Sequence, residues 1–151
     1  MKKLTTLLLV ALLFTGLTAT TNAAATNSSN DDQTIAALEA SASEAVSAQQ
    51  WALFSDRLVD ALGSDHSAIQ QAAMRLVIRY GKSVDVEDAV FNVMRVYRDG
   101  QSDALRRMAV VTLANMKSEW ALRFLERSER FEKAPCVQST IRAVLAEAGI
   151  A

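Results

Sequence analysis

Residues 102–114 read SDALRRMAVVTLA. Ser102 can accept bonds from the free N–H groups of a starting helix, and Asp103 puts negative charge into its first turn. Leu105, Met108, Ala109, Thr112 and Leu113 then recur at steps of three and four residues, and the stripe extends to Met116. That spacing is the mark of a helix with one apolar face. Arg106 and Arg107 fall off the stripe. The same pattern recurs on both sides of this segment.

Towards the C-terminus, Ser118 is placed to cap a helix carrying Ala121, Leu122, Leu125 and Phe124. Pro135 suits the first position of another, where a missing N–H costs nothing. Val137, Thr140, Ile141, Val144, Leu145 and Ala148 line that helix, and Gly149 ends it. Towards the N-terminus, Asp85 is expected to cap a helix over Val86 to Arg98, with Ala89, Val90, Val93, Met94 and Tyr97 inward and Asp99-Gly100 as the break. Ser67 to Tyr80 forms a further helix through Ile69, Ala72, Ala73, Leu76, Val77 and Tyr80. Trp51, Phe54, Leu58, Val59 and Leu62 mark one more, stopped at Gly63. No stretch alternates as a strand would.

Every second helix superposes on the others. Their starts, Ser67, Asp103 and Pro135, lie 36 and 32 residues apart. Ile69 then aligns with Leu105 and Val137, Ala73 with Ala109 and Ile141, Val77 with Leu113 and Leu145, and Tyr80 with Met116 and Ala148. A helix pair repeating in the mid-thirties of residues is the signature of an α-solenoid. The run Ser102 to Ala114, with its acid, its aliphatic-Arg pair and its alanine-rich stripe, resembles the second helix of the HEAT-repeat family. The resemblance covers about residues 51–149, with Gln70 and Gln138 standing where Arg106 stands in the middle unit.

This resemblance implies an all-α fold: a short right-handed α-solenoid of about three HEAT-like helix pairs over residues 51–151. It also implies that the second helices line a concave surface on which partners dock. Arg75, Arg79, Arg106, Arg107 and Arg142 would then form a basic patch for a protein with an acidic surface. Arg106 occupies the position that in the family often bonds an aspartate of a neighbouring repeat, so Asp65 or Asp99 is the expected partner.

Residues 1–23 read as a cleaved signal peptide: Lys2 and Lys3, an apolar run from Leu7 to Phe14, then small residues. The apolar run is shorter than the roughly 20 residues a membrane span needs. Cleavage is expected after Ala23 or Ala25, with no nearby cysteine for lipidation, which gives a periplasmic or secreted protein without stable membrane insertion. Residues 24–33 (ATNSSNDDQT less its last residue, preceded by Ala24) are polar and without periodicity, a flexible leader. Residues 34–50 form a weak Ala/Ser-rich helix through Ile35, Leu38, Ala42, Ala45 and Val46. It either caps one end of the stack or mediates self-association.

The chain of 151 residues, half of them apolar, suits one small domain. Sixteen bases face seventeen acids, and losing Lys2 and Lys3 leaves fourteen bases and a net charge of −3. Seven acids lie between Asp31 and Asp65, against Arg57 alone. This balance does not suit nucleic acid. A single histidine and a single cysteine remove most metal sites, disulfide frameworks and catalytic triads. Asp65 and His66 are adjacent at a helix start and read as capping residues, as do Asp85, Glu87 and Asp88. Cys136 reads as a buried small hydrophobe. Glu126 with Arg130 and Glu129 with Lys133 have the spacing of helical ion pairs. Trp51 and Trp120 are expected in the core. No cofactor, metal or catalytic residue is expected. The reading is an exported, non-enzymatic protein-binding scaffold. The alternative is a small exported hydrolase or metal-binding protein centred on His66 and its nearby acids.

Overall fold

The computed structural model describes residues 23–44 and 47–150. Seven α-helices make up that part: α1 Ala23–Glu44, α2 Ala48–Leu62, α3 Ser67–Tyr80, α4 Val90–Asp99, α5 Asp103–Asn115, α6 Glu119–Glu129 and α7 Pro135–Glu147. A 3-10 turn, Glu87–Ala89, leads into α4, and the described residues contain no strand. The fold is all-α. The signal peptide expected over residues 1–23 lies outside the described residues except for Ala23, as do Ala45 and Val46. No helix among the described residues is long and apolar enough to cross a membrane.

Alternate helices pack side by side. α1 lies on α2 and α3, α3 on α5, and α5 on α7; α2, α4 and α6 each pack on the helix that follows. The positions aligned in the sequence carry this arrangement. Ala73, Ala109 and Ile141 are completely buried, as are Val77 and Leu113, and Leu145 nearly so. Small residues at the first of these positions on α3 and α5 let neighbouring backbones approach closely. Met74 and Val110 are also fully buried, because α3 and α5 are covered on more than one side. The equivalent position on α7 is Arg142, which is exposed. Ala148, expected in the core, is exposed too, since it caps α7 beyond the last packed turn.

A second repeat is polar. The side-chain amide of Gln70 donates to the Leu62 carbonyl at 2.8 Å, Arg106 Nε to the Tyr97 carbonyl at 3.1 Å, and the amide of Gln138 to the Glu129 carbonyl at 3.0 Å. Each donor is the fourth residue of its helix, and each acceptor lies in the last turn of the preceding one. The last carbonyls of a helix lack intrahelical partners, so each bond satisfies an end group that packing would otherwise leave unpaired. The two glutamines therefore make the arginine's backbone bond without its charge. Gly100 makes room for this in the middle unit: a Cβ there would sit 2.6 Å from the Val96 carbonyl and 3.1 Å from Arg106 Cγ.

Some local starts differ from expectation. Residues 24–33, expected as a leader, are helical within α1. Short polar side chains bond back along this helix, Thr34 to the Asn30 carbonyl and Ser41 to that of Ala37, while Leu38 and Ala42 are buried. Packing on α2 and α3 supplies the support that periodicity does not. The helix expected over 34–50 is divided, because Ser47 and Gln50 form a reciprocal capping box that starts α2. His66 occupies the cap position of α3 without a side-chain capping bond. Ser118 sits at the start of α6, but its hydroxyl donates to Glu87 Oε1 at 2.9 Å instead of capping.

Candidate interaction surface

The five arginines of the expected patch have different surroundings. Arg106 is only 22% exposed in its side chain, and Glu132 2%. Their charged groups form an ion pair and hydrogen bond. The near partner of Arg106 is thus Glu132, with the exposed Asp103 3.8 Å away, and neither Asp65 nor Asp99; the loop after α6 folds back over α4 and α5 and delivers Glu132. Tyr97 closes the network, its hydroxyl donating to Glu132 Oε2 at 2.8 Å, while the Ala134 amide donates to Oε1 at 2.9 Å. The Arg106 guanidinium also lies 5.4 Å from the centre of the Tyr97 ring.

The titration behaviour follows from this geometry. Burial works to raise the Glu132 carboxyl, but the Ala134 amide, the Tyr97 hydroxyl and Arg106 together outweigh it and hold the group below the usual glutamate range. The Tyr97 hydroxyl is pushed up to about 12, first by burial and then by its bond to the adjacent carboxylate. Among the described residues no buried side-chain nitrogen or oxygen lacks a partner. The network is a closed structural unit, and it takes Arg106 out of the surface.

The remaining arginines are exposed. Arg142 bonds Glu129 at 2.6 Å. Arg107 donates to the Thr140 hydroxyl at 3.0 Å, which links α5 to α7 and leaves its charge without a carboxylate. Arg79 lies 5.7 Å from the centre of the Tyr80 ring. Arg75, Arg79 and Arg107 have no carboxylate partner among the described residues. In the superposed numbering they share one side: Gln71, Arg75 and Arg79 on α3 match Arg107, Val111 and Asn115 on α5, and Ser139, Ala143 and Glu147 on α7. Every one of these positions is exposed or half-buried. The side holds three arginines and one carboxylate, Glu147.

The ion pairs expected along α6 do not form. The helix ends at Glu129, so Arg130 and Lys133 lie beyond it; Arg123 pairs with Glu119, and Glu129 with Arg142. Trp51 is half-buried against Phe54 and Tyr80, with ring centres 5.9 and 5.7 Å away. Trp120 is not a core residue: it is 48% exposed and meets the exposed Phe91 ring at 5.1 Å. Cys136, expected to be buried, is exposed at the start of α7, where its thiol donates to Asp103.

His66 stands before α3 and faces α1. Its Nδ1 lies 3.2 Å from Asp31 on α1, and its backbone N–H donates to the Ser64 hydroxyl. Asp85 accepts from the Glu87 amide, at the other end of α3. No group of three or more His, Cys, Asp or Glu residues among the described ones could hold a metal ion. No family model, curated protein or solved structure matches the chain.

Proposed function

We propose that the protein is an exported, non-enzymatic binding module that holds an acidic protein partner on the shared side of α3, α5 and α7. In this reading the helix pairs form a short solenoid of the HEAT-like kind, α1 covers one end of it, and residues 1–23 direct export. The observation that carries the proposal is the set Arg75, Arg79 and Arg107: three cations on one side of packed helices, each without a carboxylate of its own. Arg106 is withdrawn from the binding set by Glu132, and Arg142 is offset by Glu129.

Exposed charges at the edge of an interface act mainly on association rate and are screened over about 8 Å at physiological salt. Capture of the partner from a cell-envelope extract on C-terminally tagged protein therefore weakens as salt rises. Arg75→Glu with Arg107→Glu reduces that capture strongly. Retention of full capture by the folded double variant would move the binding surface elsewhere.

A further inference from the structure

Beside the Tyr97–Arg106–Glu132 network lies an open cavity of about 760 Å³ between α4 and the end of α6. Its apolar wall is Tyr97, Phe124 and Phe131. Phe124 stands edge-on to Tyr97 at 5.7 Å, and Phe131 is 76% exposed, with the Arg130 guanidinium 5.8 Å from its ring centre. The rim carries Arg98, Arg127 and Lys133, none in an ion pair among the described residues; Arg127 Nε donates only to the Arg123 carbonyl. The carboxylates facing the same space are Glu132, already bonded to Arg106, and Asp99. With Glu132 neutralised by Arg106, three free cations against Asp99 leave the cavity positive around an aromatic floor.

We infer that this cavity is a docking site for a linear acidic segment of a partner protein, one aromatic or aliphatic side chain entering between Phe124 and Phe131 and flanking carboxylates meeting Arg98, Arg127 and Lys133. The occupant follows from charge complementarity and from size, since pockets of roughly 300–1,000 Å³ take a ligand or anchor of a few side chains. Tyr97 is fixed by its bond to Glu132, so that part of the wall is preorganised and binding need not order it. The inference rests on the protein-binding reading but uses none of Arg75, Arg79 or Arg107.

The test is selection of a displayed random twelve-residue peptide library on the immobilised full chain, repeated on Arg127→Glu with Lys133→Glu and on Phe131→Ala. Thermal melts establish that both variants are folded. Enrichment of peptides with acids around one large apolar residue, their affinity falling about tenfold or more on each variant, supports the site. Enriched peptides that lack acids, enrichment that survives both variants, or no enrichment at all overturns it. Binding of the wild type to phosphatidylglycerol vesicles, lost in the Arg127→Glu/Lys133→Glu variant, would also overturn it in favour of a membrane surface. If Arg75→Glu with Arg107→Glu abolishes envelope capture while Arg127→Glu with Lys133→Glu leaves it intact, this inference fails and the broader reading stands.

Discussion

Two neighbouring residues of α5 sit in opposite regions of the molecule. At the junction of α4 and α5, Arg106 is enclosed by Tyr97, Glu132 and the Tyr97 carbonyl. One residue on, along the side shared by α3, α5 and α7, Arg107 meets only a hydroxyl and solvent. Both are arginine off the apolar stripe, and the sequence pointed only Arg106 to an internal acid, Asp65 or Asp99, neither of which is its partner. What separates them is a carboxylate 26 residues away, brought over by the loop after α6. A cation enclosed with a nearly buried anion is part of the fold, whereas one left in water is available to a partner.

The largest effect comes from breaking the frame on which both regions depend. Leu113 is completely buried on α5. Leu113→Asp would place an unpaired charge among apolar side chains, a loss above about 4 kcal/mol, and abolish the cooperative helical melt seen by circular dichroism. A melt like that of the wild type would displace α5 from the centre of the packing.

The next effect isolates the enclosed region. Glu132→Gln leaves Arg106 with only the exposed Asp103 carboxylate, 3.8 Å away, and costs about 2–3 kcal/mol at neutral pH, measured by urea unfolding. The pH dependence has a definite sign. A carboxyl held below its unfolded value contributes its stability above that value, about 4.3 for glutamate, and loses it as pH falls through the folded value. The gap between wild type and Glu132→Gln is therefore full above about pH 4.3 and closes below it. A gap that widened on acidification would mean the carboxyl is held above its usual range.

A smaller effect compares the middle unit with those on either side. Gln70→Ala and Gln138→Ala each remove one neutral bond to a helix-end carbonyl and cost about 1 kcal/mol. Costs equal to that of Glu132→Gln would show that a neutral bond to a helix-end carbonyl contributes as much as the ion pair of the middle unit. The smallest stability effect belongs to the open region: Arg75→Glu with Arg107→Glu changes stability by roughly 0–1 kcal/mol. A large loss would make these arginines part of the internal packing.

Helix positions and the aligned buried residues were legible in the sequence because they depend on local periodicity. Ala73, Ala109 and Ile141 fall on one repeat, and all three are buried. The start of α1 was not legible, since the stretch from Thr26 to Gln33 has no apolar stripe. Met74 and Val110 lie off the stripes read from the sequence, and their burial needs neighbours on two sides of the helix. Of the five arginines, Arg106 was expected to bond an acid of a neighbouring repeat, but that acid is Glu132 and not Asp65 or Asp99; Arg142 could be sorted only by locating Glu129, which the sequence paired with Lys133. Trp120 looked like a core residue by type, but α6 is covered on fewer sides than α5 and leaves it in solvent. The capping box of Ser47 and Gln50 was the one available signal that went unread.

α5 divides its adjacent arginines, Arg106 to the fold and Arg107 to the surface. Thermal unfolding of Arg106→Ala and Arg107→Ala, followed side by side by far-ultraviolet circular dichroism at neutral pH, tests it most directly. Removing Arg106 strands the Glu132 carboxylate and is expected to lower the midpoint by about 10 °C, while removing Arg107 shifts it by no more than about 2 °C. Equal shifts, or a larger one for Arg107, would contradict the division.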